Sequence, residues 1–175
     1  MLFTVQTGPE LDEEAVLADS GPGTLELRML ELARRKGEPV SRAHPLSVVL
    51  SADTLVLLDE HRLGKPADPA DALRMLRLLN GRTHHVATGV VMQRAQDGLL
   101  LQGVERTEVT FRDLPQEDHV RYLERAQPWD KAGAYAIQDL GSLLVERICG
   151  DYPNIVGLPL VRTARMLEQA GIGVL

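Results

Sequence analysis

The chain has 175 residues, 44% of them hydrophobic but only 3% aromatic, and a formal net charge of −6, which describes one domain, or two small lobes sharing a core, filled by Leu, Val and Ala. The acidic balance argues against a general nucleic-acid binder with a basic face, and no apolar run approaches the ~20 residues that span a bilayer. A single cysteine, Cys149, excludes an internal disulfide framework and a Cys-based zinc site, and the start at Met1-Leu2-Phe3-Thr4 has neither the basic nor the apolar region of a leader, so a cytoplasmic location is expected.

In chain order, Phe3-Thr4-Val5-Gln6 reads as a short strand ended by Gly8-Pro9. Glu10 to Glu14 is an acidic cluster that composition alone assigns to a solvated loop, and Ser20-Gly21-Pro22-Gly23 is a second loop. Thr24 is placed to cap a helix running to about Lys36 and ended by Gly37. Leu25, Met29, Leu32 and Ala33 share one face of it. Arg34, Arg35 and Lys36 then occupy the last turn, where cations suit the helix dipole.

Ser47 to Pro66 is an apolar run of strand character, broken at Ser51-Ala52-Asp53-Thr54. An aspartate within such a run is costly unless it has a partner or a metal. Two readings follow: a polar mouth at a strand end or bulge, or a strand that ends at Asp53 with the carboxylate capping a turn. Asp59 to Arg62 turns the chain, and Gly64-Lys65-Pro66 returns a cation.

Asp68-Pro69 is a strong helix start, and Asn80-Gly81 stops that helix. His84 to Gln93 reads as a strand, Asp97-Gly98 as a hairpin signal, and Leu99 to Arg112 as the returning strand, which rules out a purely parallel sheet. Leu114-Pro115 opens a further helix, with Glu117 and Asp118 early and Arg121 and Arg125 late. Trp129 to Gln138 leads to a bend at Gly141. Ser142 to Ile148 reads as strand, Gly150 to Asn154 as loop, and Pro159 starts a last helix to about Ala170.

Three places carry polar residues that core building does not require: Asp53-Thr54 with Lys65, the stretch Lys131 to Gln138, and Glu13. No P-loop, dinucleotide-binding glycine motif or G-x-S-x-G elbow occurs. His84 and His85 are adjacent and so face opposite sides of a strand, which disfavours a His-based metal site. Carboxylates and lysines without His or Cys suit a hard cation such as Mg²⁺ and a phosphate ester.

Three segments together resemble the Maf family of nucleoside triphosphate pyrophosphatases. They are Ser51-Ala52-Asp53-Thr54 with Gly64-Lys65-Pro66; Asp71-Ala-x-x-Met-Leu-x-x-Leu-Asn-Gly-Arg-Thr-His-x-Val-x-Thr-Gly89; and Lys131-Ala-Gly-Ala-Tyr-Ala-Ile-Gln138 followed by Gly150-Asp-Tyr-Pro-Asn-Ile-Val-Gly-Leu-Pro-Leu160. The resemblance covers nearly the whole chain. It implies an α/β fold like that of the inosine triphosphatases, a mixed sheet with flanking helices in two lobes around a cleft. It also implies hydrolysis of a nucleoside triphosphate to the monophosphate and pyrophosphate, a divalent cation (Mg²⁺ or Mn²⁺), and a cytoplasmic protein of a family that often forms a homodimer; charge and hydropathy make neither nucleic acid nor membrane an expected partner.

The stretch Ala134-Tyr135-Ala136-Ile137-Gln138 resembles the branch acting on dTTP and UTP. By resemblance, Asp53 is the proton acceptor, Lys65 a catalytic lysine, and Glu13 a metal ligand together with Asp53. Thr54 and Gln138 belong to substrate choice, Lys36 faces phosphate, and Lys131 is a further substrate-binding residue. Two departures stand out. The family's opening Ser-x-Ser-Pro-Arg-Arg segment has no counterpart here, so residues 1–175 are expected to form one Maf-like domain without that strand, phosphate loop and helix, through a start codon recorded too late or a real loss. Asp139 also stands where a glycine is usual after the glutamine. The alternative reading is a catalytically impaired Maf-like protein that binds nucleotide or serves cell-division control. A weaker rival is hydrolysis of damaged purine triphosphates.

Overall fold

The computed structural model describes residues 4, 5 and 24–175. The expected strand at Phe3 to Gln6, the acidic cluster with Glu13 and the loop at Ser20 to Gly23 therefore lie wholly or largely outside the described residues.

Helix α1, Leu25–Ala43, starts where expected, with the Thr24 hydroxyl accepting from the Leu27 amide at 3.4 Å. It does not end at Gly37. It continues through Gly37 and Pro39 to a cap at His44. Its buried face is Met29, Leu30, Leu32, Ala33, Gly37 and Ser41, the spacing of one helical stripe. Gly37 reads as a terminator in sequence, but its missing side chain serves packing: a methyl group there would come within 2.5 Å of Gln93 Nε2 and 2.8 Å of Ser51 Oγ. Arg34, Arg35 and Lys36 are consequently mid-helix rather than in its last turn.

Strand β1, Val49–Leu58, runs unbroken through Ser51 to Thr54, so the polar residues sit inside a strand and not at its end. The segment expected to be only a turn includes β2, His61–Leu63, which pairs antiparallel with β1 in the register Val56 to Leu63 and Leu58 to His61. Helix α2, Pro69–Leu79, has the expected cap, with Asp68 Oδ1 accepting from the Asp71 amide at 2.8 Å. Strands β3, Thr83–Arg94, and β4, Leu99–Phe111, are joined by residues 95–98. Helix α3 is Gln116–Ala126. The expected strand over Ser142 to Ile148 is partly 3₁₀ turn, Asp139–Leu144, and only then β5, Val145–Cys149. The expected loop at Gly150 to Asn154 contains the start of a short helix, α4, Tyr152–Val156, before α5, Leu160–Gln169.

These elements make a mixed α/β protein with a five-stranded sheet in the order β2-β1-β3-β4-β5, flanked by helices. The sheet is not purely parallel, as the hairpin signal required: β4 and β5 also pair antiparallel, with an irregularity between Thr110 and Phe111. Among the described residues no helix is long and apolar enough to cross a membrane.

The chain divides into two compact units. One is formed by the described part of Met1–Asp53 with Gly89–Val104 and Leu160–Leu175, the other by Thr54–Thr88 with Glu105–Pro159. The first unit packs Leu30 and Ala33 of α1 with Val91 and Val104. Gly89 lets the α1 backbone approach closely, since a methyl group there would lie 3.3 Å from the Met29 carbonyl. In the second unit Val56, Leu58, Met75, Leu76, Leu79, Val86, Val109, Phe111 and Tyr135 belong to one core. Within it His84, Phe111 and Tyr135 pack edge to face, and His84 Nε2 lies 2.8 Å from the Tyr135 hydroxyl.

Candidate functional site

In the first unit, the close approach at Gly37 brings α1 against β1 and β3. Ser51 Oγ donates to the Ala33 carbonyl at 2.7 Å and Gln93 Nε2 donates to the Arg34 carbonyl at 3.0 Å. Lys36 is three residues beyond Ala33, on the same side of the helix. Its Nζ donates to Asp53 Oδ1 at 2.6 Å, with the Asp53 side chain 7% exposed and that of Lys36 24% exposed. A largely buried ion pair repays little of its desolvation cost, so stability is a weak reason for its presence. Lys36 therefore does not serve the helix dipole.

The neighbouring cations have a different explanation. Arg34 and Arg35 form ion pairs with Glu31, and Arg34 also pairs with Glu38, along the helix surface. The Arg34 guanidinium, foremost, and that of Arg35 hold the Glu31 carboxyl at about 2. The charge run is thus two surface arginines and one lysine turned to a buried carboxylate, a difference that charge and helix position alone do not reveal.

In the second unit, the Gly133 amide donates to the Gly64 carbonyl at 2.9 Å. That bond draws the Gly64-Lys65-Pro66 turn to the loop that begins at Lys131. Gly133 has φ +69°, and a methyl group there would lie 3.0 Å from Val56 Cγ2, so both conformation and packing call for glycine. Lys65 and Lys131 are exposed. Lys131 Nζ donates to Asp130 Oδ2 at 2.8 Å. The Asp130 carboxyl is held below its usual range, chiefly by Lys131, with a smaller contribution from the charge of Lys65.

Gln138 is exposed and opens the 3₁₀ turn, its carbonyl accepting from the Gly141 amide at 3.1 Å. A side chain at Gly141 would overlap the Ala136 carbonyl oxygen. The Ala136 amide in turn donates to the Tyr122 hydroxyl at 3.1 Å. The backbone around Gln138 is thereby fixed while its amide stays open. Asp139 has φ +51°, the left-handed region. This conformation suits the glycine that the resemblance leads one to expect there, and aspartate is among the few side chains that adopt it readily.

Thr54 makes its bonds elsewhere in this unit. Its hydroxyl lies 2.9 Å from that of Thr88 and donates to the Gly157 carbonyl at 3.5 Å. Thr88 donates to the Asn154 carbonyl at 3.4 Å. Asn154 is fully buried, and its Nδ2 donates to the Val86 carbonyl and to Thr107 Oγ1, both at 3.0 Å. Thr107 Oγ1 also donates to the Asp151 carbonyl at 3.0 Å and accepts from the Asp151 amide at 3.1 Å. Sequence reasoning did not single out Thr88, Thr107 or Asn154 for a role. Thr88 and Asn154 fall inside the segments that carry the resemblance, but nothing in their spacing shows that they meet.

Of the residues expected to form a site, Lys36 and Asp53 come together, and the turn carrying Lys65 joins the loop carrying Lys131. Gln138 has no side-chain hydrogen bond among the described residues, and Glu13 lies outside them. No group of three or more His, Cys, Asp or Glu side chains stands together among the described residues. An all-protein cage for a cation is therefore not present there. The carboxylate of Asp53 does have the donor chemistry for Mg²⁺, which typically takes one or two carboxylates and fills its remaining positions with water and substrate phosphate oxygens.

Residues 2–170 match the family described as Maf-like protein. A protein of Symbiobacterium thermophilum named dTTP/UTP pyrophosphatase is 48% identical over 163 residues, which are 93% of this chain and 81% of that protein. One of the same name from Bacillus pumilus is 47% identical over 141 residues, 81% of this chain and 74% of its own length. Another from Shewanella denitrificans is 42% identical over 169 residues, 94% and 84% of the two chains.

Proposed function

The chain belongs to the Maf-like protein family, and on that premise we propose that it is a pyrophosphatase that hydrolyses dTTP and UTP to the monophosphate and pyrophosphate. The observation that carries the substrate is that relatives 42–48% identical to it share that name. The match over residues 2–170 supports reading the chain as one Maf-like domain.

In this reading Asp53 is the general base. It accepts a proton from water as the water oxygen bonds to the α-phosphorus; the bond from that phosphorus to the bridging oxygen breaks, and pyrophosphate leaves. The bond between Lys36 and Asp53 holds the carboxylate in place before substrate arrives, and the lysine then faces phosphate. Lys65 and Lys131 offset charge that develops on the phosphates. The Gln138 amide, with a donor and an acceptor, suits the paired edge groups of thymine or uracil, and a site that bonds such an edge rejects bases lacking it. Thr54 contributes to that choice.

A divalent cation, Mg²⁺ or Mn²⁺, would be held by Asp53, with Glu13 as a second carboxylate, and would neutralise triphosphate charge. A cytoplasmic location and a homodimer accompany the reading by resemblance to the family.

The test is to incubate the protein with dTTP, UTP, dATP and inosine triphosphate in Mg²⁺ or Mn²⁺ and to measure pyrophosphate and orthophosphate. Pyrophosphate released preferentially from dTTP and UTP is the expected result. Preference for inosine triphosphate, or orthophosphate as the first product, overturns it.

A further inference from the structure

A cavity of about 230 Å³ in the second unit shares no residue with the proposed catalytic or binding set. Leu114, Leu140 and Leu144 contribute to its apolar lining, and three arginines, Arg112, Arg121 and Arg125, also line it against one carboxylate, Asp118. The three guanidiniums differ in how they are engaged. Arg121 is tied to Asp118, Nη2 to Oδ1, at 2.7 Å. Arg112 donates to the neutral Leu143 carbonyl at 2.8 Å, which fixes its position and leaves its charge in place. Arg125 has no acidic partner among the described residues.

Arg121 and Arg125 lie four residues apart on one side of α3, and the dipole at the end of that helix accounts for Arg125 alone. It does not account for Arg112, which follows β4 and meets the other two only through the fold. In a chain of net charge −6, an excess of guanidinium around an apolar hollow is a local choice. A guanidinium matches carboxylate and phosphate oxygens with paired donors, and pockets for small molecules combine apolar walls with a few placed polar groups.

We propose that this cavity binds a small amphipathic organic anion, its phosphate or carboxylate head on Arg112 and Arg125 and its apolar body on Leu140 and Leu144. An aryl or acyl phosphate and the corresponding carboxylate share that chemistry. The proposal is independent of the nucleotide-hydrolysing activity, which needs none of these residues.

The experiment is calorimetric titration of the full chain with phenyl phosphate, phenylacetate, inorganic phosphate and benzyl alcohol. Saturable binding of phenyl phosphate or phenylacetate is expected, whichever is tighter naming the preferred head group. Inorganic phosphate and benzyl alcohol should each bind at least about tenfold more weakly, since each supplies half of the recognition. Arg125→Ala, an exposed position, should weaken binding of the amphipathic anion by about tenfold or more, the loss expected for one hydrogen-bonded charge. It should leave pyrophosphate release from dTTP unchanged, which separates this cavity from the substrate site. Lys36→Met should not alter the affinity. Absence of saturable binding, equal affinity for inorganic phosphate, or equal affinity in the Arg125 variant overturns the proposal, and so does loss of binding in the Lys36 variant.

Discussion

Lys36 and Asp53, 17 positions apart in the chain, meet at 2.6 Å between Nζ and Oδ1, with the carboxylate almost wholly removed from solvent. The pair joins a helix face to the middle of a strand, where a carboxylate would otherwise be costly.

The first prediction concerns that pair. Asp53→Asn keeps the shape and removes the base, so pyrophosphate release from dTTP should fall about 10²- to 10⁴-fold. Lys36→Met removes one partner of a largely buried pair and should destabilise the fold by about 2 kcal/mol, less than a fully buried pair because the lysine retains some exposure. The double variant Lys36→Met with Asp53→Asn should regain part of that loss. Denaturant unfolding of the four proteins measures the coupling; additive losses would contradict it.

Gly37→Ala is the second. In an exposed helix interior this change stabilises by up to about 1 kcal/mol. Here the added methyl meets Gln93 Nε2 and Ser51 Oγ, so the net effect should be destabilising by about 1–2 kcal/mol, an overpacking cost. A rise in melting temperature would show that the helix and strands yield more easily than their hydrogen bonds suggest.

The third concerns Asn154. Its side chain closes two buried hydrogen bonds, to Val86 O and Thr107 Oγ1. Asn154→Ala leaves that carbonyl short of a partner and should cost about 2–3 kcal/mol. Asn154→Asp should cost at least as much, because a carboxylate oxygen would then face the Val86 carbonyl. Chemical denaturation of both variants against the parent decides this.

A fourth prediction follows from His84, which lies in the second core. Burial, then the charge of neighbouring His85, push its pKa down to about 4 from an ordinary 6.5. Between those values the unfolded chain binds a proton that the folded chain refuses, so stability is intact above pH about 6.5 and falls as the pH drops toward about 4. The loss from this one group approaches about 3 kcal/mol. Unfolding free energies measured from pH 7 to pH 4 should decline more steeply for the parent than for His84→Phe. Parallel curves would remove His84 as the cause.

Much of the local architecture was legible before any coordinates. Asp68-Pro69 announced α2 because capping is settled by the residues that make it, and Asp97-Gly98 marked the turn between β3 and β4 for the same reason. The adjacency of His84 and His85 put them on opposite faces, since side chains alternate along a strand: His84 is buried, whereas His85 is partly exposed and lies 3.5 Å from Glu108. The resemblance to the family also singled out Asp53, Lys65 and Gln138, whose roles are part of the proposal above.

Local signals failed where a residue answered to a distant partner. Gly37 reads as the end of a helix, yet α1 runs through it because Ser51 and Gln93 occupy the space a side chain would need. Charge and helix position alone treat Lys36 like Arg34 and Arg35, and although the resemblance marks Lys36 for phosphate, only the approach of β1 turns it to Asp53 while the arginines stay with Glu31 and Glu38. The Thr54, Thr88, Asn154 and Thr107 cluster, and the three arginines around one hollow, bring together side chains from separate segments. By itself the sequence determined caps, turns, strand alternation and family, all of which depend on residues near one another or on a shared pattern. Tertiary structure alone decided which charges and hydroxyls meet, because those contacts form when packing brings distant segments within hydrogen-bond range.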